Sequence, residues 1–385
     1  MSNTGAVTNS TTNVNIQRLR KYLGGKTALV AQGGGQRGIF TAGVLDAFLL
    51  SDFDPFNTYY GTSAGALNLC AYICRQAGLG RSFLLDLTTQ PEFFSLFGYI
   101  RNKQTLDIDW ALDKVNHYPY KLDVDLGRTQ LVGKNAFASV TDAVHLQDHY
   151  LPMLEDNWVN VLKATCAIPR LYKGEVIIDG IRYLDGGVSA SIPVQEAWRT
   201  GSRCIVVIRT EPFEQDMPKD NVPITVSEGM PIWLRQSVDA LQSQWDSKVQ
   251  EWKSDWSDFF IEKFNQSAQQ NKLLSRTRLL NGGRWLFGAG DVYRLSHMLG
   301  EAFDSGLADM LMVHYQTYSL TQQFLTSPPD DCFILQIHPE SPLESTSLLS
   351  DREALLADYE IGLKAGNNFI NTYLKAKANL NPCPA

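Results

Sequence analysis

The chain has 385 residues, 44% of them hydrophobic, and a formal net charge of −7. That supplies core enough for one large α/β domain or two modules, and the acidic balance argues against a nucleic-acid partner, which needs a concentrated positive face. Six cysteines without small-disulfide spacing suit reduced, buried thiols and a cytoplasmic compartment, and no run approaches the roughly 18 apolar residues of a membrane span, so any membrane contact is expected to be peripheral.

In chain order, residues 1–20 read as a disordered leader, because they are rich in Ser, Thr and Asn and lack the apolar core of a secretory signal. Thr27–Gln32 is a predicted buried strand that enters a glycine run, Gly33-Gly34-Gly35-Gln36-Arg37-Gly38. Ile39–Leu50 has a helical period, Asp52–Pro55 a turn, and Thr58–Tyr60 a second short strand. That strand leads into Gly61-Thr62-Ser63-Ala64-Gly65, a G-x-S-x-G elbow, and then a helix over Ala64–Ala77. Arg81–Leu126 is expected to form a cap of helices and loops. Strand Asn135–Val144 and helix Asn160–Ala167 follow. Val176–Ile178 and Ile181–Leu184 flank Asp179-Gly180, a strong hairpin signal. The second of those strands delivers Asp185, followed by Gly186 and Gly187. A helix after Pro193 and strand Cys204–Ile208 close this part.

Beyond Phe213 the composition changes. Pro223–Pro231 reads as a connection, and Ile232–Gln266 as helix carrying Trp245, Trp252 and Trp256 on an otherwise mixed-charge surface. A membrane-interface role for that helix competes with simple packing, which its acidic residues favour. Lys272–Arg294 holds Lys272, Arg276, Arg278, Arg284 and Arg294 against Asp291, and is the better place for contact with an anionic lipid surface. Helical stretches at 295–325 and 351–374 are separated by a strand-like Cys332–Ile337 that is available to extend the sheet.

A serine hydroxyl is a poor nucleophile until a base takes its proton. None of the six histidines lies in a recognisable catalytic context, whereas Asp185 stands at a strand end before two glycines. A carboxylate within ~3 Å of the hydroxyl can act directly as base. Asp179 is the decoy, since D-G between two β runs is a turn. Glycines that end a strand and open a helix present backbone N–H groups to a developing oxyanion, with Gly34 and Gly35 the first choices and Arg37 either bracing the loop or neutralising a lipid phosphate. Three other readings stay open. Gly33-x-Gly35-x-x-Gly38 also fits a dinucleotide fingerprint, although the acidic residue expected about twenty positions on is missing from the second strand's end. An ordinary Ser-Asp-His hydrolase would need more strands before its elbow. A catalytically silent lipid-binding or scaffold protein would keep the same fold.

Taken in this order, the glycine run, the Ser63 pentapeptide and Asp185-Gly186-Gly187 resemble the patatin-like phospholipase family over roughly Lys26–Thr210. Ala164-Thr165-Cys166-Ala167-Ile168-Pro169 and Val188–Val194 resemble that family too, and Tyr315–Pro342 with Tyr359–Gly362 resembles a bacterial branch of it. The resemblance implies a three-layer α/β/α sandwich over 21–212, with a mostly helical C-terminal extension, 213–385, packed upon it. It also implies a Ser63–Asp185 dyad, an oxyanion hole at the glycine loop, and hydrolysis of lipid or acyl-ester substrates without metal or other cofactor.

Overall fold

The computed structural model describes residues 22, 25–94, 106–169, 171–213 and 305–378. The leader, the Trp-rich stretch Ile232–Gln266, the basic stretch Lys272–Arg294 and the middle of the expected cap lie outside the described residues.

Eight described strands form one mixed sheet: β1 (Thr27–Ala31), β2 (Thr58–Thr62), β3 (Asn135–Asp142), β4 (Asp148–Pro152), β5 (Val176–Ile178), β6 (Ile181–Asp185), β7 (Cys204–Ile208) and β8 (Phe333–Ile337). Their order is β5-β6-β3-β2-β1-β7-β8, with β4 attached to β3. Each of the central β1, β2 and β7 is five residues long and buried at every position. Strands covered on both faces read as continuous apolar runs, which is why TALVA and CIVVI were visible in the sequence. From β3 to β8 the central strands run parallel, and β4, β5 and β6 are antiparallel additions at one side.

Register brings two chain segments together. Along one edge, β3 pairs with β4 from Phe137 to Thr141. On its other edge β3 pairs with β2 as far as Thr62–Ser139, and the next residue, Val140, pairs with Asp185 of β6. Strands β2 and β6 therefore meet end to end against β3. The residue after Thr62 is Ser63, so both residues arrive at the same seam.

Helices flank the sheet. α1 (Gly38–Leu50) is buried at eleven of its thirteen positions, as a helix apolar all round must be. α2 (Ala64–Ile73) stops four residues before the expected Ala77, because Arg75 takes a positive φ of 57° and Gly78 one of 80°. α3 (Leu79–Ser82) runs into a π-helical turn, Phe83–Leu87. α4 (Ile108–Lys114) and α5 (Val124–Gln130) are capped by Asp107 and Asp123, whose carboxylates accept from the Trp110 and Leu126 N–H groups and satisfy donors a helix start leaves open. α6 (Trp158–Thr165), α7 (Val194–Arg199) and α8 (Ser305–Thr326) follow.

The last helix, α9 (Arg352–Ala378), lies along α1. The two backbones approach so closely that a Cβ on Gly362 would stand 2.1 Å from the Phe40 carbonyl oxygen, and one on Gly43 would stand 2.3 Å from that of Tyr359. Phe369 and Tyr373 of α9 complete an aromatic cluster with Phe48 and Phe53. Strand β8 continues the parallel sheet beside β7, with Cys204–Ile208 matched to Phe333–Ile337. The strand β4 has no counterpart in the sequence reading. All five of its residues are half-buried, so it lacks the apolar/polar alternation that marks a strand.

Candidate active site

β2 ends at Thr62 and α2 begins at Ala64, so Ser63 alone makes the turn, at φ 51° and ψ −124°. Few residues with a side chain adopt a positive φ, and such strain persists only where neighbours over-determine it. Here they do. The Ser63 N–H donates to Thr165 Oγ1 at 2.9 Å, and the Thr165 hydroxyl donates to the Ser139 carbonyl at 2.5 Å. The Ser63 carbonyl accepts from the N–H groups of Ala66 and Leu67. Gly61 and Gly65 let the turn sink into the sheet: a Cβ on Gly65 would stand 2.5 Å from the Ala31 carbonyl oxygen. Ser63 is only 7% exposed, so its hydroxyl sits within a cleft rather than standing clear above the sheet.

Asp185 is the last residue of β6 and is 1% exposed. Its backbone is pinned on both sides: its N–H donates to the Ala167 carbonyl at 2.9 Å, and its own carbonyl accepts from the Thr141 hydroxyl at 2.8 Å. The carboxyl accepts one firm bond, from the Gly187 N–H to Oδ1 at 2.6 Å. Oδ2 is buried without a well-formed hydrogen bond; the Ser63 hydroxyl reaches the group only as a loose contact, near enough to lower its pKa. Burial pushes the carboxyl from its ordinary 3.8 up to about 7, against the pull of the Gly187 N–H and the Ser63 hydroxyl. The carboxyl is thus a proton acceptor poised near neutrality. Gly186 packs on the Ser139 carbonyl, and Asp179 sits where the hairpin reading put it, exposed in a turn with Gly180, both at positive φ.

The glycine run forms the third side. The Gly33 N–H donates to the Ser191 carbonyl at 3.1 Å and the Gln36 N–H to the Ser347 carbonyl at 2.9 Å. Between them, the N–H groups of Gly34 and Gly35 have no protein acceptor among the described residues. Gly35 has φ 58°, and a Cβ there would meet the Ser347 carbonyl oxygen at 2.2 Å, so only glycine fits. Gly38 opens α1 against Ala64. Arg37 stands between Gly35 of the glycine run and α1. Its N–H donates to the Gly34 carbonyl, and its guanidinium pairs with Glu211 at 3.0 Å, both side chains about one-eighth exposed. Of the two roles read from the sequence, bracing the loop is the one this geometry fits.

A cleft enclosing about 510 Å³, part of it open to solvent, runs from Gly35 and Ser63 past Leu84, Leu112 and Ile168 to Leu348. A second one, of about 430 Å³, shares Ala64, Leu67, Phe83 and Leu84 with the first and continues toward Val115 and Leu162. The surface both present is almost wholly apolar. Cys166 Sγ lies 3.9 Å from the Ser63 hydroxyl, and burial pushes its pKa well up, so it stays a neutral thiol.

Several residues of the site carried no individual signal. Thr165 and Cys166 lie in the stretch 164–169 and Ser191 in Val188–Val194, both legible only as blocks; Ser347 and Leu348 lie in no stretch that carried a signal. Four described histidines bond to groups outside the site: His145 Nδ1 with Asp142 at 2.8 Å, His149 with Tyr183, His117 with the Asp113 carbonyl and His338 with the Pro339 carbonyl; a fifth, His314, is buried in α8. The described cysteines, Cys70, Cys74, Cys166, Cys204 and Cys332, are all buried and outside any disulfide. Among the described residues no helix is long and apolar enough to cross a membrane.

A sheet that carries a serine on a strained strand-to-helix turn, beside a buried carboxyl and above an apolar cleft, defines a class: α/β proteins built in the manner of serine hydrolases. Comparison with known proteins narrows it. Residues 29–198 match the model of the patatin-like phospholipases, and residues 304–377 match a domain of unknown function, DUF6363. The chain is 32% identical over 355 residues to the uncharacterized protein YjjU of Escherichia coli (strain K12), a match covering 92% of this chain and 80% of that protein. The crystal structure of VipD from Legionella pneumophila aligns over 90% of this chain and 67% of its own, at 11% identity and a TM-score of 0.36. The chain belongs to the patatin-like phospholipase family, a family of lipid hydrolases.

Proposed function

We propose that the protein is a serine lipid acyl hydrolase, a phospholipase A or carboxylic ester hydrolase, in which Ser63 is the nucleophile and Asp185 the general base. The observation that carries this reading is the Asp185 carboxyl: buried at the Ser63 seam, with one oxygen uncommitted and a pKa near 7. An ester carbonyl held in the cleft is attacked by Ser63 Oγ while Asp185 takes the hydroxyl proton. Negative charge on the carbonyl oxygen is met by the N–H groups of Gly34 and Gly35, a stabilisation worth about 3–4 kcal/mol for one donor in comparable sites. The C–O bond then breaks, the alcohol or lysolipid leaves with the proton from Asp185, and the acyl group stays on Ser63. A water molecule, deprotonated by the same carboxylate, attacks the acyl-enzyme; the fatty acid departs and Ser63 recovers its proton.

The apolar linings of the two clefts suit an acyl chain rather than a sugar or peptide. The charge of Lys272–Arg294 supports peripheral contact with an anionic lipid surface. To test the reading, purified protein and Ser63→Ala are assayed on p-nitrophenyl butyrate and on phosphatidylglycerol vesicles, with released fatty acid quantified by mass spectrometry. Release by the wild type and a loss of at least about a thousandfold in Ser63→Ala, with an unchanged circular dichroism spectrum, is the expected result. An inert wild type on every ester, or full activity in Ser63→Ala, would overturn it.

A further inference from the structure

Beyond the short-range bonds of Arg37 and Gly38, the glycine loop is held by residues far from it in sequence. Gln36, 2% exposed, has every polar group committed. Its backbone N–H donates to the Ser347 carbonyl at 2.9 Å, its Oε1 accepts from the Ser350 N–H at 2.8 Å, and its Nε2 donates to Thr88 Oγ1 at 3.0 Å and to the Thr88 carbonyl at 3.2 Å. Thr88 ends the π-helical turn whose Phe83 and Leu84 line the cleft. One side chain thus joins the oxyanion loop, a cleft wall and a segment more than 300 positions away.

That segment has its own anchor. Asp358 of α9 is wholly buried, and its two oxygens accept from the Glu344 N–H at 3.2 Å and the Ser345 N–H at 2.7 Å. Thr346 and Ser350 close the turn on each other, and Ser347 and Leu348 at its tip line the cleft that holds Ser63. A second brace acts through Arg37: the Tyr318 hydroxyl of α8 donates to Glu211, which holds the guanidinium.

We propose that the segment 344–350, hung on Asp358, is the outer half of the active site. It holds the glycine loop through Gln36 in the shape that leaves the Gly34 and Gly35 N–H groups unengaged, and it closes the acyl cleft with Leu348. Gln36 and Asp358 are positioning residues; Leu348 selects among acyl chains. This gives the region matching the domain of unknown function a task, and it rests on the acyl-hydrolase reading above. The physical reason is preorganisation. An oxyanion donor must stand within a few tenths of an ångström of its place before the charge develops, and a glycine-rich loop cannot fix itself.

The test uses the full chain and two esters, p-nitrophenyl butyrate and p-nitrophenyl laurate. Gln36→Leu and Asp358→Ala are expected to lower kcat by about tenfold to a hundredfold with KM within about twofold, because the loop's donors act mainly in the transition state. Asp358→Asn, which keeps one acceptor, should recover most of the loss. Leu348→Trp should lower kcat/KM for laurate about tenfold more than for butyrate, since it fills the cleft a long chain needs. A wild type inert on both esters overturns the acyl-hydrolase reading, and this proposal with it. A wild type that hydrolyses them, beside Gln36→Leu and Asp358→Ala variants that lose thermal stability but keep kcat, overturns this proposal alone. Should those two fail to fold, the laurate-to-butyrate ratio of Leu348→Trp decides: an unchanged ratio removes the segment from the site.

Discussion

The two ends of strand β2 treat a buried carboxylate in opposite ways. At the N-terminal end, Asp54 is only 10% exposed, yet it is fully engaged: Lys134 at 2.8 Å, Arg75 at 3.2 Å and the Tyr59 hydroxyl at 2.6 Å. Its charge is neutralised by two cations that tie β2, β3 and the end of α2 together. At the C-terminal end, Asp185 is more deeply buried, has no cation bonded to it among the described residues, and keeps one oxygen uncommitted. Burial without compensation is costly, so a fold retains it only where something else requires it. On the proposed reading, the first carboxylate serves the fold and the second the chemistry.

Breaking each carboxylate should therefore give opposite results. The largest effect belongs to Asp185→Asn, which removes the base: hydrolysis falls by about a thousandfold in a steady-state assay. The same change should stabilise the protein. The folded-state pKa of Asp185, about 7, lies above the ordinary 3.8, so its contribution to stability is fully present below pH 3.8 and is lost as pH rises toward 7. Across that window the loss is on the order of 4 kcal/mol. Thermal melts should show Asp185→Asn above the wild type at pH 8, with the advantage vanishing near pH 4.

The pH profile comes next. Only the ionised carboxylate accepts a proton, so kcat/KM should fall about tenfold per unit below an apparent pKa near 7 and level off above it. A profile flat from pH 5 to 8, measured with an ester stable over that range, would contradict the assignment of Asp185 as base. At the other end of β2, Asp54→Ala should leave kcat within about twofold but cost on the order of 2 kcal/mol in urea unfolding, because Lys134 and Arg75, each about a quarter exposed, lose their counter-charge. Smallest in free energy, about 1–1.4 kcal/mol, is Thr165→Val, which removes the acceptor of the Ser63 N–H and loosens the elbow: kcat should drop by about fivefold to tenfold with little change in KM.

What the sequence made legible was local. The elbow, the hairpin at Asp179-Gly180 and the all-apolar strands each announce themselves within a few residues, because their backbone demands are met by the residues in place. Asp185 was legible for the same reason, as an acid delivered by a strand and followed by glycines. Features that depend on distant chain were not. Arg37 gave no sign of Glu211, nor Gln36 of Ser350, which lies 314 positions away. The early stop of α2 turned on single positive-φ residues that propensity does not reveal, and β4 was hidden by its even, half-buried pattern. The candidate chemical residues could be read one at a time. The parts that hold them in place had to be seen.

The most direct measurement is the rate of covalent labelling by a fluorophosphonate probe, followed against pH, with the adduct located by peptide mass spectrometry. An adduct on Ser63 whose rate rises through pH 7 in the wild type, and is nearly absent in a folded Asp185→Asn, is the predicted result. Labelling of Ser63 that is equally fast in Asp185→Asn, or an adduct on a different serine, would show that the buried carboxyl does not activate this hydroxyl.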